Sequence, residues 1–113
     1  MTNYFKYFFS KNSLLRDLQI NEFQKLKLNK KCIEFGADEN LTKNFLKKNK
    51  KIRDSYYSNL KSLSKDIIKI DLEKKNVFKD YKKKFNNVII LNVLEHLKET
   101  NTPLQNINKL LYK

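Results

Sequence analysis

The sequence predicts an α/β fold with a mostly parallel sheet of about four strands and flanking helices. Three observations predict it. Val88-Ile89-Ile90-Leu91 is an unbroken apolar run of strand length, and Cys32-Ile33-Glu34-Phe35 is a shorter one that stops at the only glycine, Gly36. Helical apolar spacing separates and follows these runs, and strands alternating with helices require right-handed crossovers between parallel neighbours.

The elements follow in order. Ser13 to Leu26 place Leu14, Leu15, Leu18, Phe23 and Leu26 near helical spacing, with Ser13 suited to the N-cap and Asp17 to the first turn. Tyr4, Phe5, Phe8 and Phe9 either extend that apolar face, which is expected to pack on the core, or form a separate lid. Residues 1–30 thus form an N-terminal amphipathic helical segment ahead of the sheet-bearing domain, 31–113. Asn40 to Lys48 reads as a helix presenting Leu41, Phe45 and Leu46. Ile52 to Tyr57 and Asp66 to Asp71 are the second and third strands, and Val88 to Leu91 is the fourth, running into a helix that carries His96. A last helix from Thr102 or Pro103 to Tyr112 sets Leu104, Ile107, Leu110 and Leu111 on one face, with Pro103 in its first turn.

Composition narrows the function classes. The formal charge is +13, yet 23 of the 25 basic residues are lysines, and only Arg16 and Arg53 offer the guanidinium fork that readers of bases and phosphates exploit. Solvated lysine faces are therefore expected in place of a specific nucleic-acid site. Cys32 is alone, which excludes a disulfide framework and suits a reducing, cytoplasmic setting. Inside a strand, it reads as a small buried apolar residue. No apolar run approaches the roughly 20 residues of a membrane span. No carboxylate–histidine spacing suggests a metal site.

The chemistry collects at the expected strand ends. Gly36 lets the chain turn tightly after the first strand, and the next helix offers free N–H groups. The three-glycine phosphate fingerprint is incomplete, because its later positions are Asp38 and Asn40. The carboxylates of Asp38 and Glu39 disfavour a pyrophosphate and penalise an amino or sulfonium cation less.

Taken together, Cys32-Ile33-Glu34-Phe35-Gly36-Ala37, Ile68-Lys69-Ile70-Asp71-Leu72-Glu73, Asn87-Val88-Ile89-Ile90-Leu91-Asn92-Val93-Leu94-Glu95-His96-Leu97 and Pro103 to Leu111 resemble, in order and spacing, the class I S-adenosylmethionine-dependent methyltransferases of the small-molecule type. The resemblance covers about residues 31 to 113 and implies a Rossmann-like fold, S-adenosylmethionine as cofactor and a small-molecule methyl acceptor. It implies Glu34, Gly36 and Ala37 around the methionine part of the cofactor, Asp71 and Leu72 near the adenine, and Asn92 between cofactor and acceptor. The ribose contact stays unassigned: Asp54 falls slightly early, and Tyr57-Ser58-Asn59 slightly late. His96 is implied as a general base or as a group positioning the acceptor, the alternative being a helix residue that hydrogen-bonds backbone or nearby loops. Glu95 is expected to cap or brace the turn.

The family's sheet has seven strands, so the resemblance implies a chain truncated after the helix that follows the fourth strand. Val88, Ile89, Ile90 and Leu91 would then lie at an open edge, available for self-association or a partner chain. The rival readings are a non-catalytic binding or scaffold domain that kept the fold, and a basic nucleic-acid-binding protein whose lysines cluster on one face.

Overall fold

Strand β1 (Lys31–Phe35) shows by its burial why it is central. Cys32 turns to one face, Ile33 and Phe35 turn to the other, and all three are buried. Such a strand needs cover on both faces and neighbours on both edges. It pairs in parallel with β2 (Asp54–Asn59) and with β4 (Asn87–Ile90), while β3 (Ile67–Lys69) joins the far side of β2. The spatial order is β3-β2-β1-β4. The chain therefore moves outward through three strands and then crosses back to lay the fourth on the other side of the first. This is an all-parallel sheet of Rossmann-like topology. The computed structural model describes residues 14–28, 30–39, 44–48, 52, 54–61, 64–91 and 93–112.

Helices α1 (Leu14–Phe23) and α2 (Phe45–Lys48) cover one face. There Phe23, Phe45 and Leu46 pack with Cys32, Tyr57, Ile67 and Ile89, and the Phe23 and Phe45 rings meet edge to face at 5.7 Å and 65°. The opposite face lies under helix α3 (Asn101–Leu110) and the segment 70–86. Its core joins Ile33 and Phe35 to Leu72, Phe78, Phe85, Ile107 and Leu110. The crossover 70–86 contains no helix. Successive turns replace it, with N–H to C=O bonds from Lys74 to Asp71, Val77 to Lys74, Lys79 to Asn76 and Tyr81 to Phe78. Asn76 at φ +55° interrupts any right-handed run.

Several boundaries differ from the sequence reading. β2 runs from Asp54 to Asn59, not from Ile52 to Tyr57, because its register is set by β1, whose first rung pairs Lys31 with Asp54. β3 keeps only residues 67–69 of the expected Asp66–Asp71. The expected helix from Asn40 is seen over Phe45–Lys48, and positions 40–43 lie outside the described residues, as do Tyr4, Phe5, Phe8 and Phe9. His96 sits in a 3₁₀ turn, Leu94–His96, not in an α-helix. Of the apolar residues expected to form the packing face of α1, Phe23 is buried and the leucines are not. The helix docks through Phe23 and partly buried Ile20, three residues apart on one face, so Leu14, Leu15, Leu18 and Leu26 are left exposed. In α3 the buried face is Pro103, Asn106, Ile107 and Leu110, with Leu104 outside.

No helix among the described residues is long and apolar enough to cross a membrane. After α3 the chain returns to the foot of β4. Phe85 donates its N–H to Leu110 C=O at 2.8 Å and accepts the Tyr112 N–H at 3.1 Å, a single parallel rung between Phe85 and Leu111.

Candidate functional site

The reversal of strand order leaves a cleft of about 230 Å³ at the carboxyl ends of the strands, where parallel α/β sheets gather ligands. Its walls are Phe35 and Gly36 after β1, Asn59 and Leu60 after β2, Ile70 to Glu73 after β3, and Val93, His96 and Leu97 after β4. The space is smaller than the roughly 300–1,000 Å³ that encloses a whole drug-sized ligand. It matches part of such a ligand.

Gly36 shapes the floor. Its φ is +74°, and a Cβ at this position would meet Val93 Cγ2 at 2.5 Å. Only glycine satisfies both the backbone and the close approach of Val93. Ala37 follows, fully buried; it donates its N–H to Ser58 C=O at 3.0 Å and accepts Asn59 Nδ2–H at 2.7 Å. Asn59 Oδ1 accepts the Lys61 N–H at 3.1 Å, and Asn59 C=O accepts the Ile70 N–H at 2.9 Å. Across the cleft, Asp71 Oδ1 accepts the Glu73 N–H at 3.0 Å, and Glu73 Oε1 accepts the Lys98 N–H at 2.6 Å. All four strand ends are thereby tied into one rim. Such a rim is set before any ligand arrives.

Beneath the rim, three side chains hold the turn and loops. The Glu34 carboxylate, 3 % exposed, accepts the N–H groups of Phe45 at 3.1 Å and Leu46 at 3.3 Å. Free N–H groups at a helix start stabilise an anion that would otherwise be costly to bury. Buried Asn44 accepts the Asp38 N–H at 2.7 Å and donates to Asp38 C=O at 3.0 Å, which closes the loop after Gly36. On the other face, buried Asn106 of α3 donates to Leu72 C=O at 2.8 Å and Lys74 C=O at 2.9 Å. Burial pushes the Tyr57 hydroxyl above its ordinary 10.0, and the Glu34 charge adds to the rise. Burial likewise raises the Cys32 thiol above 9.0, against a contact from Asn87 Nδ2 at 3.5 Å.

The structure brings Gly36, Asp71, Leu72 and His96 together around the cleft. Glu34 and Ala37 lie below it, one capping α2 and the other bracing the rim through its backbone. Asn92 lies outside the described residues. Of the positions left open for a ribose, Asp54 is at the entry of β2, the end remote from the cleft, Ser58 is fully buried, and Asn59 is the residue that reaches the wall. Leu60 also lines the cleft and carried no signal in the sequence beyond following the strand. The His96 imidazole is 77 % exposed and 4.0 Å from exposed Glu95. The bracing expected of Glu95 belongs instead to Glu99, which accepts the N–H groups of Asn101 and Thr102 at the start of α3.

Both ends of the sheet carry charge of both signs, with Lys61, Lys74 and Lys98 among the carboxylates at the carboxyl ends and Asp54 and Asp66 among the lysines at the strand entries. Half of the chain's 12 carboxylates (Asp38, Glu39, Asp71, Glu73, Glu95 and Glu99) stand in the loops at the carboxyl ends of the strands. The opposite end carries Lys30, Lys31, Lys83 and Lys84 at the strand entries and Lys109 at the end of α3. Lys84 donates to Lys109 C=O, and Lys109 Nζ donates to Asn76 Oδ1 at 3.0 Å. Among the described residues no group of three His, Cys, Asp or Glu side chains is placed to hold a metal ion.

Comparison with protein-family models, with curated proteins and with solved structures finds no match to this chain.

Proposed function

We propose that the cleft binds S-adenosylmethionine and that the chain forms the cofactor-binding portion of a methyltransferase acting on a small-molecule acceptor. The observation that carries this reading is the charge of the cleft. In a chain of formal charge +13, its walls include Asp71 and Glu73 and, among the described residues, neither lysine nor arginine. These carboxylates repel a phosphate-bearing dinucleotide and attract a ligand with ammonium and sulfonium charge. In this reading Gly36 receives the amino-acid end, Asn59 and Leu60 face the ribose, and Asp71 with Leu72 face the adenine. Val93 and His96 border the side open to the acceptor. S-adenosylmethionine supplies an electrophilic methyl group, and the protein supplies proximity and in-line orientation. A reducing, cytoplasmic setting suits Cys32, a buried thiol outside any disulfide.

A non-catalytic binding domain is the second reading, and His96 favours it. An imidazole 77 % exposed, beside an exposed Glu95, has among the described residues no buried partner to orient it as a base.

The test is calorimetric titration of the full chain with S-adenosylhomocysteine, with Leu60→Arg as the comparison. Leu60 is 58 % exposed, so a long side chain there fills the cleft without disturbing the core. Micromolar binding that disappears in Leu60→Arg, with an unchanged circular dichroism spectrum, supports the cofactor reading. Absence of binding by a folded chain refutes it.

A further inference from the structure

The crossover between β3 and β4 gathers lysines on its outer side. Residues 74–84 hold six of them, Lys74, Lys75, Lys79, Lys82, Lys83 and Lys84, against one carboxylate, Asp80. Phe78 takes the core position, Val77 and Tyr81 pack partly against it, and every one of these lysines is exposed except half-buried Lys84. The next acids along the chain, Asp71 and Glu73, belong to the cleft rim, where each accepts a backbone N–H.

Neutral partners hold part of this charge in place. Lys109, in the last turn of α3, donates to Asn76 Oδ1 at 3.0 Å, and Lys84 donates to Lys109 C=O, so both ammonium groups are drawn to the crossover. Lys83 Nζ lies 4.2 Å from the centre of the Tyr56 ring, whose hydroxyl is 3.5 Å from Asp54. Among the described residues no carboxylate comes within 4.0 Å of any of these seven ammonium groups. Like charges assembled in this way destabilise a folded chain, and a bound polyanion removes the penalty. Beside them Lys74, Asn76, Val77, Lys79, Asp80 and Tyr81 line a groove of about 380 Å³. The Tyr81 ring in its wall is backed by Phe78 at 5.7 Å. No large apolar side chain of residues 74–84 is exposed, as insertion into a membrane surface would require.

We propose that this surface binds a single-stranded nucleic acid through its phosphates, without preference for sequence, and that the groove receives a base against Tyr81. Lysine ammonium groups neutralise phosphates as point charges, and residues 74–84 and α3 contain no arginine fork with which to read a base. The crossover has no helix to enter the groove of a duplex, and only an unpaired strand has bases free to stack. The surface is separate from the cleft, and the proposal stands whatever the cleft binds.

Fluorescence anisotropy of the full chain with labelled oligothymidylate and oligouridylate tests this, with a duplex of equal length and vesicles of phosphatidylcholine and phosphatidylserine as competitors. Both single strands are expected to bind, and affinity to fall about 100-fold between roughly 50 and 200 mM salt, as counterion release from about five phosphates requires. The variant Lys74→Gln, Lys75→Gln, Lys79→Gln, Lys82→Gln is expected to bind at least about 10-fold more weakly. A variant of the same net charge, Lys27→Gln, Lys61→Gln, Lys65→Gln, Lys98→Gln, should stay within about 3-fold of the wild type. All eight lysines are exposed, so circular dichroism should be unchanged in both variants. No binding by the folded chain, equal losses in the two variants, a duplex bound more tightly than the single strands, or vesicles bound in their place would overturn the proposal.

Discussion

Glu34 and Phe45 lie eleven residues apart and meet inside the core, where Glu34 Oε1 accepts the Phe45 N–H at 3.1 Å. With the second bond to Leu46, this one carboxylate fixes the start of α2 against the end of β1. The loop between them is the loop that leaves Gly36. Glu34 therefore acts on the cleft from beneath, by holding its turn.

Replacing Glu34 with alanine leaves two N–H groups without their acceptor. The expected loss is about 1.5–3 kcal/mol of unfolding free energy, the range for hydrogen bonds to a charged group. Glu34→Gln keeps one acceptor oxygen and should fall between. Urea unfolding followed by circular dichroism measures both, and an alanine variant as stable as the wild type would contradict the capping role.

Gly36 and Val93 should behave as a coupled pair. Gly36→Ala meets a positive φ that costs an L-residue about 1–2 kcal/mol, together with the 2.5 Å approach of Val93 Cγ2. Adding Val93→Ala relieves the collision and leaves the backbone cost in place. A double-mutant cycle is expected to give a favourable coupling of about 0.5–3 kcal/mol; strictly additive losses would mean that the valine is not the obstacle.

Asn106 ties α3 to the wall residue Leu72. Asn106→Leu fills similar space but leaves the Leu72 and Lys74 carbonyls without their donor, at about 1–3 kcal/mol for each buried one. Denaturant melting should show that loss, and S-adenosylhomocysteine affinity should fall with it because the adenine wall loosens. Unchanged affinity in a destabilised protein would separate Asn106 from the site.

Cys32 and Tyr57 give a pH dependence of definite sign. Both hydroxyl and thiol are held above their ordinary values of 10.0 and 9.0, mainly by burial. Below pH 9 both groups are protonated in the folded and unfolded chains, and their full contribution to stability is present. As pH rises past 9, the unfolded thiol ionises first, followed by the unfolded phenol, and the contribution is lost until the raised folded values are passed. Thermal melting between pH 8 and about 11 should show a falling midpoint, and Cys32→Ala should make the fall begin later. A midpoint that rises over this range would contradict the burial of both groups.

The sheet was readable in the sequence where apolar residues run together. Cys32–Phe35 is buried on both sides and Val88–Leu91 packs against both cores with only Ile89 buried, and an unbroken apolar run signals such strands directly. Ile33 and Phe35 feed one core while Cys32 feeds the other. β2 was misplaced by two residues because its sequence, Asp54–Asn59, is polar and tyrosine-rich, and pairing with β1 decides its position. On α1, Phe23 takes the core position expected of it, whereas the leucines named with it stay exposed. At the site, Gly36 stood out as the only glycine. The asparagines that hold the rim, Asn44, Asn59 and Asn106, were hidden among many others, since an amide's role depends on partners 6 to 34 residues away.

The most direct test of the account is backbone amide NMR of the full chain during titration with S-adenosylhomocysteine. The account predicts saturable shifts at Gly36, Asn59, Leu60 and Asp71 around the cleft, with Lys83, Lys84 and Lys109 at the opposite end of the sheet unmoved. Shifts confined to the lysine end, or none at all in a folded sample, would contradict the assignment of the cleft as the ligand site.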